Sequence, residues 1–172
     1  MLIARAALAF LALPAMVAGA VPALIVRGMA PAHGMAWFGA AVICAGCGIL
    51  GWCVRDFFAS GRGTLAPWDP PVHLVIVGLY RLVRNPMYIG VLTIVAGWSV
   101  LYLSPWMALY AAFLAVAFHV RVIAHEEPWL SRRFGPEWSA YAASTRRWLP
   151  RRPRPGNGPS VGADHRGNQR SL

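Results

Sequence analysis

The sequence predicts an all-α integral membrane protein of about four transmembrane helices followed by short cytoplasmic C-terminal helices. Three observations carry this. Of 172 residues, 58% are hydrophobic and only 13% charged, with a mean hydropathy of +0.50. Four apolar stretches are each long enough to cross hydrocarbon. The net charge of +10 rests on arginine, with no lysine, and gathers around those stretches. A soluble chain of that charge would suggest nucleic acid. Here the orientation bias of membrane loops explains it, and no nucleic-acid partner is expected.

The first stretch runs from Ala6 to Val26, with Pro14 and Pro22 inside it. Residues 1–20, with Arg5 ahead of an apolar run and Ala18-Gly19-Ala20 at its end, also fit a cleaved signal peptide. The run to Val26 exceeds a usual signal core and favours a retained span. The second stretch, Met35 to Val54, ends at Arg55-Asp56. The third, Met87 to Leu103, follows Asn85-Pro86. The Asn side chain there can accept a first-turn N–H, and Pro at the first helical position loses nothing by lacking its own. Ser104-Pro105 repeats the device before the fourth stretch, Pro105 to Ala124, giving a tight hairpin.

Pro128 is then expected to open a short helix with Trp129, Leu130 and Phe134 on its apolar side. Gly135-Pro136 breaks it before a second piece carrying Trp138 and Tyr141, both lying on the membrane surface. Three regions result: an N-terminal helix pair (1–60), a core (61–149), and a disordered basic tail (150–172). Arg27 falls on one side of the predicted membrane and the other arginines on the opposite one. That split makes the second side cytoplasmic, with both termini there.

Several motifs reduce to ordinary roles. Gly46-Cys47-Gly48-Ile49-Leu50-Gly51 matches GxGxxG but lies within a span, where small residues serve close helix packing. Cys44, Cys47 and Cys53 read as buried thiols. His119 and His125 are six apart, off one helical face, and no Cys/His cluster completes a metal site. Ser99 lacks a nucleophile elbow.

The segment Gly78 to Gly90 is different. Arg81, Arg84 and Tyr88 surround the positive start of an apolar helix, which makes an anion site at the bilayer surface. Glu126-Glu127 sit at the carboxyl end of the fourth span, where acids are unfavourable unless arginines or a cationic ligand compensate. Gly61 to Pro71 is a glycine- and proline-rich connection, placed to cover the same pocket.

The loop at Gly61 to Pro67, the LVxxGxYRxxRNPxYxG block from Leu74 to Gly90, Glu126-Glu127, and Leu130, Phe134-Gly135, Tyr141, Arg147 and Pro150 stand in order along just over half the chain. In this the chain resembles the isoprenylcysteine carboxyl methyltransferase and phospholipid methyltransferase superfamily. The resemblance implies an S-adenosyl-L-methionine-dependent methyltransferase without a Rossmann domain, its cofactor held at the cytoplasmic ends of the last two spans. By position it implies a cofactor lining of Val72, His73, Leu74, Val75, Tyr80, Asn85, Pro86, Met87, Tyr88 and Glu126. Many eukaryotic isoprenylcysteine members carry His where this chain has Asn85, which cannot become cationic near neutral pH. Arg121 lies near the arginine those members use toward substrate.

Arg84 suits the cofactor carboxylate, and Glu127 is the nearest base for a protonated acceptor. The expected partners are membrane lipid and a lipidic or small apolar methyl acceptor: prenylcysteine, a phospholipid amine, a small thiol or an apolar acid. All-arginine usage points to a GC-rich, bacterial genome and its inner membrane. A non-catalytic scaffold for anionic lipid and a small transporter are the alternatives from other classes.

Overall fold

The computed structural model describes residues 13–60 and 74–150, with side chains only as far as Asp56 in the first stretch. The described residues form helices and no strand. Helix α1 is Leu13–Ile25, α2 is Ala36–Ser60 and α3 is Pro86–Tyr102. Helix α4 is Pro105–Phe134 and α5 is Pro136–Ser144. Two of them, over Ala36–Asp56 and Pro105–Phe134, are long and apolar enough to cross a membrane. Only 17% of the most apolar stretch of each is buried, so their apolar side chains face outward, unlike the core helix of a soluble protein. Helix α3 has 17 residues and α1 is shorter still among the described residues.

The sequence places the hairpin correctly, but its two caps differ. Ser104 accepts the Met107 N–H at 3.4 Å. Asn85 occupies the cap position of α3 without capping it; its Nδ2 donates instead to the Arg147 carbonyl at 3.4 Å. The helix start is left open toward the site. Leu103, at φ 47°, makes the left-handed step that closes the turn.

Helix α3 is the central element. It packs antiparallel on α2 through two glycines from each helix. A Cβ on Gly46 would lie 2.7 Å from the Ile94 nitrogen and 2.9 Å from the Gly90 carbonyl oxygen. One on Gly97 would lie 2.8 Å from the Ile43 nitrogen, and one on Gly39 would lie 2.6 Å from the Leu101 backbone. The backbones therefore touch, as small-residue membrane interfaces do. Of the three glycines in the GxGxxG match only Gly46 packs this way; Gly48 and Gly51 face open space. Cys53 is buried, whereas Cys44 and Cys47 are exposed, against the expectation of three buried thiols. Val91, Ile94 and Val95 of α3 join Met107 and Leu114 of α4 and Ala18 of α1 in the core.

Helix α4 is continuous through Pro128, where the sequence suggests a new helix. A proline in a helix lacks the N–H for the carbonyl four residues back and crowds it. Here a π turn, Val122–Glu126, precedes it and absorbs the mismatch. Helix α1 does the same: a π turn at Met16–Ala20 precedes Pro22, and the Val17 carbonyl accepts the Tyr110 hydroxyl at 2.9 Å. Gly135, at φ 50°, ends α4 as expected. Helix α5 does not simply lie on a surface, because Trp138 and Tyr141 are buried against the rest of the protein.

Candidate functional site

Three segments meet at the arginine-rich end of α3 and α4. The first is the extended stretch from Leu74 through the 3-10 turn Gly78–Arg81 to Arg84. The second is the π turn of α4, and the third is residues 145–148 after α5. Arg84 N donates to the Arg146 carbonyl at 2.8 Å, and Val83 and Arg146 form an isolated parallel bridge. This strap sets Arg147 beside Arg84. From the other side the Tyr141 hydroxyl donates to the Tyr80 carbonyl at 2.6 Å. Burial pushes the Tyr141 hydroxyl up to about 12, tempered by the Arg84 charge.

Glu127 is enclosed by two guanidiniums. Its Oε1 accepts from Arg84 Nη1 at 2.8 Å and Arg147 Nε at 2.7 Å, and its Oε2 accepts from Arg147 Nη2 at 2.7 Å. The Arg147 pair is bidentate, the geometry that gives such contacts both strength and direction. The bond to Glu127 also raises the Arg147 pKa. Arg84 lies 5.7 Å from the Trp138 ring centroid, over its face. Two arginines and one glutamate leave a net positive charge. Arg84 Nε is moreover buried with no acceptor among the described residues, an unspent donor that costs stability unless something fills it.

Glu126 belongs to a second cluster. Its Oε1 accepts from the Tyr88 hydroxyl and from Arg121 Nε at 3.0 Å, and Arg121 Nε also donates to the Tyr88 oxygen at 3.2 Å. The Tyr88 ring packs on Phe118 at 4.5 Å and faces Trp148 at 6.5 Å. Trp148 Nε1 donates to His119 Nδ1 at 3.1 Å. Beside this pair an open groove of about 610 Å³ runs between α3 and α4, lined by Ile89, Leu92, Thr93, Ala96, Ala115 and Val116. Its walls are apolar and its one polar end is at His119 and Trp148.

The structure thus brings together five residues singled out in the sequence, Arg84, Tyr88, Arg121, Glu126 and Glu127. Tyr80, Asn85, Pro86 and Met87 stand in the turn and helix start beside them, and Leu74 and Val75 in the extended stretch. Val72 and His73 lie outside the described residues, as do the Gly61 to Pro67 loop and the tail from Arg151. Arg147 and Trp148 are central here. The sequence offered Arg147 only as one of several spaced residues, and Trp148 carried no signal.

Two helices long and apolar enough to span a membrane, with a charged cluster beside an apolar groove between α3 and α4, define a class of helical membrane protein whose polar and apolar surfaces adjoin. The profile of the phospholipid methyltransferase family matches residues 28–137, and the chain belongs to that family. It is also similar to protein-S-isoprenylcysteine O-methyltransferase A of Arabidopsis thaliana, 35% identical over 77 residues, covering 45% of this chain and 39% of that relative. No solved structure matches the chain.

Proposed function

We propose that the protein is an S-adenosyl-L-methionine-dependent methyltransferase acting at the cytoplasmic face of a membrane it crosses four times. Its acceptor is lipidic or small and apolar, presenting a carboxylate, amine or thiol. The observation that carries this reading is the joining of a net-positive, donor-rich polar site to an apolar cavity through Trp148. Family membership supports methyl transfer, and the Arabidopsis relative's name supports an oxygen acceptor. Arg27 at one end of the helices, against Arg55, Arg81, Arg84, Arg121, Arg132, Arg133, Arg146 and Arg147 at the other, supports the orientation.

The residues fit the cofactor. Arg84 Nε, an unpaired buried N–H, and the uncapped start of α3 suit a carboxylate. Glu126, whose side chain is 31% exposed, suits an ammonium or ribose hydroxyl. Aromatic faces at Tyr88 and Trp148 suit a flat base or a cation. When bound, the cofactor supplies an electrophilic methyl group on a sulfonium. The chain's own residues orient the reactants: the groove between α3 and α4 holds the apolar body of the acceptor, with Trp148 and His119 at its polar end.

In this reading Glu127 positions Arg84 and Arg147 and takes no proton. Three N–H donors already occupy its two oxygens. Arg121, tied to Glu126 and Tyr88, holds the rim that the acceptor headgroup crosses.

The test is direct. Wild type in detergent is expected to bind S-adenosylhomocysteine and to label an acceptor in a membrane lipid extract from methyl-labelled cofactor. Arg84→Ala and Glu126→Gln are expected to lose cofactor affinity by tenfold or more. Wild-type levels of binding in both variants would remove the proposed site. A scaffold or transporter binds no cofactor at all.

A further inference from the structure

Asp56, at the end of the apolar part of α2, is a buried acid that the site described above does not use. The residue is 6% exposed and its side chain 9%. Its Oδ2 has no hydrogen-bond partner among the described residues. Arg55 Nε stands 3.8 Å from Oδ1, but the Arg55 side chain is 78% exposed, and so solvated a cation does little for a buried carboxylate. The Oδ2 atom is tucked under Gly78, where φ is +52° and any Cβ would collide with it. The glycine therefore lets the chain turn directly over the acid.

That turn also carries Tyr80, which links Asp56 to the proposed cofactor site. Tyr80 lies in the same 3-10 turn, and its carbonyl is held by Tyr141. Burial pushes the Tyr80 hydroxyl well above its ordinary range, and Cys53, Tyr141, Asp56 and Glu126 add to the effect. The turn that covers Asp56 is thus the one whose Tyr80 carbonyl is tied to Tyr141 of α5.

We propose that Asp56 is the acceptor for the ammonium group of the cofactor's amino-acid tail, so that α2 forms a third wall of the site. This rests on the cofactor reading above and goes beyond its residues. The chemistry selects the ammonium. An oxygen without a hydrogen bond calls for a donor, and a sulfonium has none. A buried carboxylate is better matched by a cation than by a neutral hydroxyl. The tail's carboxylate belongs with Arg84 and the start of α3.

The experiment titrates the full chain in detergent with S-adenosylhomocysteine, with its deamino analogue (carboxylate kept, ammonium absent), and with S-adenosylmethionine. Wild type is expected to prefer S-adenosylhomocysteine to the deamino analogue by tenfold or more. Asp56→Asn is expected to erase that preference by weakening the amino-bearing ligands and leaving the deamino analogue unchanged. Unchanged binding of the deamino analogue also shows that the variant is folded, and Asp56→Ser is read the same way where the Asn variant does not fold. Three results overturn the assignment while leaving the cofactor reading intact: an undiminished preference in the variant, an equal loss for all three ligands, or a loss for S-adenosylmethionine alone. Wild type that binds none of them overturns the cofactor reading itself.

Discussion

Arg121 and Glu126 lie five residues apart on one helix and share a 3.0 Å hydrogen bond. In an α-helix such positions point about 140° apart. They meet because the turn between them is a π turn, and the π turn stands where Pro128 forbids a regular one. A proline that looks like a helix start therefore sets the direction of an acid two residues before it.

Pro128→Ala tests that chain of causes. Alanine restores the missing N–H and lets α4 run as a regular helix. The variant is expected to be as stable as wild type or more so, while Glu126 turns away from Arg121 and Tyr88. Cofactor affinity should fall to the level of Glu126→Gln. A stable variant with full affinity would show that the π turn does not place the acid.

The glycines of α2 offer a contrast within one motif. Gly46→Ala puts a methyl against the Ile94 nitrogen and the Gly90 carbonyl, and overpacking of that kind costs about 1–3 kcal/mol. Gly48→Ala meets nothing within 4 Å and should gain up to about 1 kcal/mol from helix propensity. Thermal unfolding in detergent should move the two midpoints in opposite directions.

Alkaline pH should loosen the strap beneath the site. The Tyr141 hydroxyl titrates near 12 in the fold, above its ordinary value of 10. A raised value means the folded state keeps its proton longer than the unfolded state. That contribution is complete below pH 10 and disappears as pH climbs through 12. The unfolding midpoint should therefore drop over this window. Tyr141→Phe should cost about 1 kcal/mol at pH 8 for the lost bond to Tyr80, and its midpoint should fall less steeply. An identical profile for the variant would locate the alkaline transition elsewhere.

Trp148 separates the two halves of the site. Trp148→Ala removes part of the groove's lining and the bond to His119. On the proposed function, KM for the acceptor should rise severalfold with a smaller change in S-adenosylhomocysteine affinity. A matching loss in both would mean that the indole serves the cofactor alone.

Much of this was legible in the sequence because it follows from local rules. Asn85-Pro86 and Ser104-Pro105 mark helix starts by proline geometry, and Gly135 marks a stop by its positive φ. Charge at two helix ends showed only that each called for a counter-charge, and the family resemblance implied that Arg84 and Tyr88 share a site with Glu126 and Glu127. What escaped depends on distant parts of the chain. Asn85 abandons the expected cap because the Arg147 carbonyl is within reach. Arg147 is brought to Glu127 by a bridge between Val83 and Arg146, which no periodicity announces. Gly46 and Gly48 look alike until α3 is placed against one of them. Asp56 looks like the solvated end of a span until Gly78 folds over it.

The unbroken length of α4 has a mechanical consequence. From Pro105 to Glu126 the rise is about 32 Å, close to the thickness of a hydrocarbon slab. On the proposed topology a continuous rod, anchored at its far end by the Leu103-Ser104 corner, delivers both acids to headgroup depth. The membrane would then act as the gauge block against which the proposed chemistry is levelled, and a thinner or thicker bilayer would lift or sink the carboxylates relative to whatever the lipid presents.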